Sequence, residues 1–545
     1  MGAGPVIGGT PSHLSAGEAV VSGVRSARPV VALFAGLALM VVAWAAATPL
    51  GQAADEPAHY IKALAAGRGD VHGATPDVAN VDALATLVKQ QRSTESRAAQ
   101  ARALNFIAEA SGAFTLPRAL VPARGCFPNF FTRADTTDRA HCVTIPSRGP
   151  GEQARFTTYV EAYPPYLYAL PGLAMRAAGD DHPDAAYWLG RGAVAALALV
   201  LLGLALLLLW DPTAGAVSLV GAMVATTPMS LWSFSVLNTS GLEIAGATCW
   251  TAGLVRLVRR SPSPPWVWAA TAAGGAVLAT ARPSGPVFVV FAPLCVALVF
   301  GFPQLVAAVR SGSRRAVVAG LVVGVALAAA VFWQRYMPGY SIDADTVLDS
   351  VSSALDGLPE ALREAVGRFA GDYFIPTWVA VAWAVLLALL VAAAARRQPR
   401  LVLVAVVSMV AIAAYATSYL TSGFDEFYGR YALPALVVLP LCAGAALAER
   451  GAQLAESARR RLVVAFTLTT AAIHLLAWWL EARRLAVGTD GPLYFLGEAG
   501  WTPPGGWAFW VVAMLAGAAL YVTAALTRAA IPSALSSQPT PALRR

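Results

Sequence analysis

Charge is what this sequence has least of. Only 13% of its 545 residues are Asp, Glu, Lys or Arg, against 57% hydrophobic, whereas a soluble domain is about a quarter charged. Over this length the deficit excludes a disordered chain, a coiled coil and an ordinary soluble enzyme. Lysine is scarcer still: Lys62 and Lys89 are the two lysines, and the other basic residues are arginines. The five cysteines form no CxxC pair, which argues against a zinc ribbon and a thioredoxin-like site. No Gly-rich loop ends in Lys-Ser/Thr, and neither a G-x-S-x-G elbow nor an HExxH occurs. Those absences argue against an ATPase, a serine hydrolase and a zinc protease. The net charge of +8 comes from arginines set between apolar runs. That is the pattern of membrane topology, and no nucleic acid partner is expected.

What is abundant is apolar sequence. About twelve runs are long enough to cross a bilayer. They are 30–49, 186–210, 213–232, 236–256, 265–281, 285–303, 316–336, 376–396, 400–420, 430–448, 461–481 and 507–528. The fold class expected is therefore an all-α integral membrane protein with a large outer loop after the first helix. Arginines cluster in alternate connections: Arg25 and Arg28, Arg256 to Arg260, Arg310 to Arg315, Arg396 to Arg400, Arg459 to Arg461, and Arg544 with Arg545. With twelve spans these all fall on one side, so both termini are expected in the cytoplasm. The chain divides into a cytoplasmic tail 1–29, a transmembrane core 30–450 that includes the outer loop 50–185, C-terminal transmembrane helices within 451–528, and a second cytoplasmic tail 529–545. Counting 163–178 as a further span would scatter the arginine loops over both sides, so it is expected to lie in plane or re-enter. The first run is read as an uncleaved helix and not a signal peptide.

Bulky loops fall on the outer side, at about 50–185, 337–375 and 482–506. Within the largest, Ala83–Ala110 reads as helix and 112–155 as irregular. Cys126 and Cys142 lie together in that irregular stretch. Outside the cytoplasm they can form a disulfide, contributing roughly 3 kcal/mol by closing a loop of about 15 residues. Two free thiols are the alternative. Cys249, Cys295 and Cys442 lie in apolar runs and are read as packing groups.

The residues richest in chemistry are Asp55-Glu56-Pro57-Ala58-His59-Tyr60, directly after the first run. A carboxylate at a partly dry interface can serve as a general base, and an adjacent one can hold it or share a divalent cation such as Mg, Mn or Ca. The same acids can instead cap the next helix at its positive N-terminus. Arg282 and Arg430 stand at expected outer boundaries, where guanidinium suits phosphate. They can equally snorkel or pair with carboxylates, Asp425 and Glu426 being near Arg430. Lys62, six residues beyond the acidic pair, is a further phosphate candidate. Asn238 and Glu243 lie near the outer end of the 236–256 run. An ionisable group there is a functional candidate by default, with a structural pair to Arg191 as the alternative for Glu243. Tyr163, Tyr166 and Tyr168 serve as interfacial anchors or as sugar platforms. His59 is a substrate-pocket candidate, and His72, His141 and His182 show no metal spacing with it.

Five motifs occur in order: Ala54-Asp55-Glu56-Pro57-Ala58-His59-Tyr60, Tyr163-Pro164-Pro165-Tyr166, Asn238-Thr239-Ser240-Gly241-Leu242-Glu243-Ile244-Ala245, Ala281-Arg282-Pro283 and Tyr428-Gly429-Arg430-Tyr431-Ala432-Leu433-Pro434. Together they make residues 30–450 resemble the predicted membrane proteins of the domain of unknown function 2142 family. That family in turn resembles C-type (GT-C) glycosyltransferases. These are polytopic, take sugar from a lipid phosphate and use an acidic residue of the first outer loop. The resemblance implies a GT-C-like core, Asp55 as catalytic acid/base and Glu56 as its partner. Around Gly371-Asp372-Tyr373-Phe374-Ile375-Pro376 only fragments of the family pattern remain, so Asp372 receives no role.

The expected function is transfer of a sugar from a polyprenyl phosphate to an envelope glycan, glycolipid or exported acceptor, on the outer face of the cytoplasmic membrane. Membrane lipids, the polyprenyl-phosphate-linked sugar and the acceptor are the expected partners. The rival from another class is a transporter or flippase of a lipid-linked glycan or small solute, using Arg191 and Glu243 along a path. A non-catalytic envelope scaffold is the third reading.

Overall fold

The computed structural model describes residues 16–75, 111–121, 151–337, 347–370, 373–422, 427–451 and 454–526. Cys126, Cys142, the expected helix 83–110, Asp372, Asp425, Glu426 and the tail 529–545 lie outside them.

The architecture is helical. Helix α1, Ala16–Ala47, begins well inside the expected 1–29 tail. After a turn at Gly51 it is followed by α2, Glu56–Gly67. Strands β1, Gly112–Pro117, and β2, Gln153–Thr158, pair antiparallel with Gly112 opposite Thr158 and Pro117 opposite Gln153. This hairpin corrects the expectation of irregular chain across 112–155. Strand β1 packs on α2 with Phe114 and Leu116 buried, and the Thr158 hydroxyl donates to the Ala58 carbonyl at 2.8 Å. A 3-10 turn, Tyr166–Tyr168, leads into α3, Ala169–Arg176. At eight residues α3 rises about 12 Å and is too short to cross a bilayer. It crosses α2 closely, because a Cβ on Gly67 would lie 2.2 Å from the Gly172 carbonyl oxygen.

The bundle continues with α4 (Pro183–Leu209), α5 (Val220–Ala225), α6 (Pro228–Ser235), α7 (Thr239–Arg259), α8 (Pro265–Ala281), α9 (Gly285–Phe300), α10 (Phe302–Gly312) and α11 (Arg314–Tyr336). Proline at the first turn of α4, α6 and α8 starts each helix at a position that needs no amide donor. Thr227 and Asn238 cap α6 and α7, accepting from the amides of Ser230 at 3.1 Å and Ser240 at 2.6 Å. Next come α12 (Val347–Asp356) and α13 (Leu358–Gly367), then the short strands β3 (Arg368–Ala370) and β4 (Tyr373–Phe374). The bundle closes with α14 (Thr377–Ala395), α15 (Arg400–Thr421), α16 (Leu433–Leu436), α17 (Val438–Gly451), α18 (Glu456–Val487) and α19 (Trp507–Leu526).

Helices occupy all twelve expected intervals, but the count of crossings is lower. Among the described residues seven helices are long and apolar enough to cross a membrane, or up to nine if each of two bent pairs is one crossing. The reasons are local. The 213–232 interval breaks by 72° before Pro228, and 285–303 breaks by 113° at Gly301, whose φ is 104°. Helix α8 has only 17 residues, and α7 carries Glu243, Arg256 and Arg259. Leu321, Val325 and Phe332 on α11, Trp378 and Val381 on α14, and Val402 and Val410 on α15 are all exposed. Such apolar outer faces suit contact with lipid, and the chain is a multi-pass membrane protein.

The first and last described helices pack side by side. Gly36 of α1 meets Gly517 of α19 so closely that a Cβ on Gly36 would lie 2.6 Å from the Gly517 carbonyl oxygen. Helix α7 is central, packed on α4, α6, α8 and α9. Its N-terminus faces the Asp55 turn, where Asn238 Nδ2 donates to the Ala54 carbonyl at 3.4 Å. Its C-terminus, 21 residues or about 31 Å away, gathers Arg259 with Glu449, Arg260 with Asp211, and Arg315 with the Ser263 carbonyl.

Candidate functional site

The turn between α1 and α2 is held by a buried ion pair. Arg191, on α4, donates from Nε to Glu56 Oε1 and from Nη2 to Glu56 Oε2, each at 2.6 Å. The amides of Gly51 and Leu237 donate to the same carboxylate at 2.9 and 3.0 Å. Arg191 also donates to the carbonyls of Ala45, Thr48 and Pro49. This knot ties the end of α1, the start of α2, α4 and the α6–α7 turn together. It also corrects the expected partner of Arg191, which is Glu56 and not Glu243.

With Glu56 turned into the knot, Asp55 is left at the N-cap position of α2 without capping it. Its φ of 64° is left-handed, a conformation non-glycine residues rarely adopt. The side chain points instead to Tyr159, whose hydroxyl donates to Oδ1 at 2.7 Å, and to Arg430, whose Nη2 pairs with Oδ2. Burial works to raise the Asp55 pKa, but Arg430, His59, the Tyr159 hydroxyl and Arg282 together hold it below the usual value. The two acids thus diverge, and Asp55 and Glu56 as arranged do not present a joint cation site. Among the described residues there is no group of three or more His, Cys, Asp or Glu suited to a metal.

Arg430 lies in a 3-10 turn, Gly429–Tyr431, with its guanidinium 4.7 Å from the Tyr428 ring centre and 4.9 Å from that of Tyr431. Glu364 of α13 sets this turn, accepting from the Gly429 amide at 2.6 Å and pairing with Arg368 at 2.6 Å. Arg282, just past α8, lies over the same Tyr431 ring at 3.8 Å. It donates to Ser240 Oγ and to the Tyr163 hydroxyl, each at 2.9 Å. Its Nε is 4.0 Å from Glu243 Oε2, and neither atom has a hydrogen-bond partner. Glu243 Oε1 accepts from the Ser284 hydroxyl at 2.6 Å. The Nε of Arg430 is likewise buried and unpartnered.

His59 is buried beside these groups, hydrogen-bonded through Nδ1 to the Tyr168 hydroxyl at 2.6 Å and edge-on to Tyr163. Burial pushes its pKa down to about 3, against the pull of Asp55, so the ring is neutral at ordinary pH. Lys62 faces the other way. Its ammonium donates to the carbonyls of Val160, Glu161 and Tyr163 and pairs with Glu161 at 3.4 Å, fastening α2 under the chain that follows β2. Burial lowers its pKa to about 8, Glu161 opposing. Lys62, expected at a phosphate, is thus committed to the scaffold.

From Arg282 a cavity of about 560 Å³ runs between α9, α11 and α15. Its head is polar, with Tyr163, Arg282, Ser284 and Gln334; its length is apolar, with Val287, Phe288, Phe291, Ala411 and Ala414. The lining runs along α15 from Ala411 through Tyr415, Ser418 and Tyr419 to Ser422 just past its end, about 16 Å.

Of the residues expected at a site, Asp55, His59, Tyr163, Glu243, Arg282 and Arg430 come together here. Asn238 is a helix cap beside them, and Glu56 and Lys62 are built into the surrounding scaffold. Sequence reading missed Tyr159, Tyr431, Ser240, Ser284 and Glu364. Tyr431 had a signal, since it adjoins Arg430 in a quoted motif; Tyr159 and Glu364 had none.

No curated protein and no solved structure matches the chain. The model of the family described as "Predicted membrane protein (DUF2142)" matches residues 37–355, over half of the chain and from α1 into α12. This multi-pass membrane protein belongs to the domain of unknown function 2142 family.

Proposed function

We propose that this protein is a membrane glycosyltransferase of the C-type that moves a sugar from a polyprenyl phosphate to an envelope glycan, glycolipid or exported acceptor. The observation that carries the reading is the placement of Arg282. It stands at the head of an apolar cavity and shares the Tyr431 ring with the Asp55–Arg430 pair. A lipid phosphate needs both halves of that arrangement: a guanidinium for the phosphate and a trough for the chain.

In the reaction, Asp55 takes the proton of an acceptor hydroxyl. The acceptor oxygen bonds to the anomeric carbon as the bond from that carbon to the phosphate oxygen breaks. Polyprenyl phosphate leaves with the electron pair of that bond, its charge met by Arg282 and Arg430. Arginine bias supports an outer-facing site on the cytoplasmic membrane with both termini inside. Transport has less support, because Arg191, one of the two residues it would place along a path, is locked in the Glu56 knot.

The test is transfer by purified protein in nanodiscs from a panel of radiolabelled polyprenyl-phosphate sugars to an envelope extract. Transfer lost in a folded Asp55→Asn variant supports the reading. Transfer that survives the substitution removes Asp55 as the base, and no transfer from any donor removes the enzyme.

A further inference from the structure

We infer that in the free protein the Asp55 carboxylate occupies the anion position of Arg430, and that the phosphate of an incoming lipid donor displaces it and so frees the base. The inference rests on the lipid-phosphate reading of the same site and adds an order to it: donor first, then acceptor.

Three observations carry it. Asp55 is a poor base as it stands, because both its oxygens already accept, one from Tyr159 and one from Arg430. Both contacts stabilise the charged form and so weaken its hold on a proton from an acceptor alcohol. Second, the backbone is arranged for this contact and against the ordinary one. An Asp before a helix caps it by default, yet Asp55 makes no cap and sits at a φ of 64°. Such a conformation costs on the order of 1–3 kcal/mol and persists when surroundings hold it. Here the Glu56 knot on one side and Arg430 on the other do so. Third, Arg430 is built to stay behind when the carboxylate leaves. Tyr428 and Tyr431 flank its guanidinium, Glu364 fixes its turn, and its buried Nε is an unused donor. The phosphodiester of a lipid-linked sugar matches the single charge of the carboxylate, and its tetrahedral oxygens can reach donors Asp55 leaves idle, the Nε of Arg430 and of Arg282. Once Arg430 is neutralised by the phosphate, the main attraction holding the Asp55 proton affinity down is removed, and the carboxylate retains Tyr159 as its orienting partner.

The same chemistry is offered by a lipid headgroup and by free phosphate, so both are probes. Full-length protein in nanodiscs is titrated with farnesyl phosphate, farnesol and inorganic phosphate. Removing the competing carboxylate in Asp55→Asn is expected to tighten farnesyl phosphate by about tenfold or more, the range of one charge-assisted hydrogen bond, and to leave farnesol unchanged. Asp55→Ala serves if the first variant folds poorly. Adding Arg430→Gln is expected to abolish the gain. Equal or weaker binding of farnesyl and inorganic phosphate by both folded Asp55 variants overturns the displacement, even where wild type binds the lipid well. Tightening of inorganic phosphate alone keeps the displacement and assigns the anion to a soluble source. Absence of binding of either phosphate by wild type and variants overturns the inference together with the lipid-phosphate reading.

Discussion

The Glu56→Gln substitution separates a structural carboxylate from a catalytic one. Glu56 accepts two bonds from Arg191 and one each from the amides of Gly51 and Leu237. Glutamine keeps one acceptor oxygen and turns a donor toward groups that are themselves donors. The Arg191 charge, 1% exposed, then has no counter-ion. Breaking a buried pair in this way costs about 3–5 kcal/mol. Arg191→Met should cost a similar amount, because it strands the carboxylate instead. The double variant Glu56→Gln/Arg191→Met removes both charges and should cost less than the sum of the two single changes, by about 2 kcal/mol or more. Its residual cost comes from the carbonyls of Ala45, Thr48 and Pro49, which lose their donor. The assay is reversible unfolding in mixed micelles, followed by circular dichroism. A Glu56→Gln protein within about 1 kcal/mol of wild type would refute the reasoning, since no buried ion pair of this kind is so cheap to break.

Three further outcomes are expected. Gly429→Ala places a Cβ 2.2 Å from the Ala361 carbonyl oxygen and 2.4 Å from the Ala365 amide, both backbone atoms, so it should shift Arg430, lower transfer by about tenfold or more and lower the melting temperature as well. Arg282→Met should weaken farnesyl phosphate binding by about tenfold or more, and Arg282→Lys should restore it only in part, because an ammonium cannot both lie flat on Tyr431 and reach Ser240 and Tyr163; isothermal titration reads both. Unfolding in acid should steepen below pH 6.5. His59 titrates at about 3 when folded against 6.5 unfolded, so the unfolded chain binds more protons between those values. Stability is then lost as pH falls through that window, by up to about 1.4 kcal/mol per unit. Asp55, whose pKa is also lowered, adds loss of the same sign at the acid end, and His59→Gln should flatten the slope above it.

Asp55, Arg282 and Arg430 were legible in the sequence because charge is so scarce in it. In an apolar run an ionisable side chain has few cheap resting places, and one at the end of a run points to a boundary where it has work. Their mutual pairing was less legible. Asp55 and Arg430 are 375 residues apart, and the nearer acids Asp425 and Glu426 made a local partner the natural reading. The pairing of Glu56 was hidden for the same reason: its adjacency to Asp55 suggested cooperation, while Arg191 lies 135 residues on. Lys62 shows the limit of counting turns, since about two helical turns past Asp55 it faces the scaffold. Composition located helices well but not crossings, because a proline after Thr227 and a left-handed Gly301 redirect the chain inside otherwise continuous apolar runs.

The contact between α1 and α19 bears on how the protein is made. A chain emerging from the ribosome releases α1 long before α19, with Gly36 and Met40 shaped to receive a helix that is translated nearly five hundred residues later. Until Gly517 arrives, that face of α1 has only lipid or an insertion chaperone against it. The turn that carries Asp55 hangs from the far end of the same helix. A chain that stops at residue 355, where the matched region ends, would therefore hold α1 without its mate. Co-expression of a separate fragment bearing α18 and α19 is the natural way to ask whether the two halves find each other in a membrane.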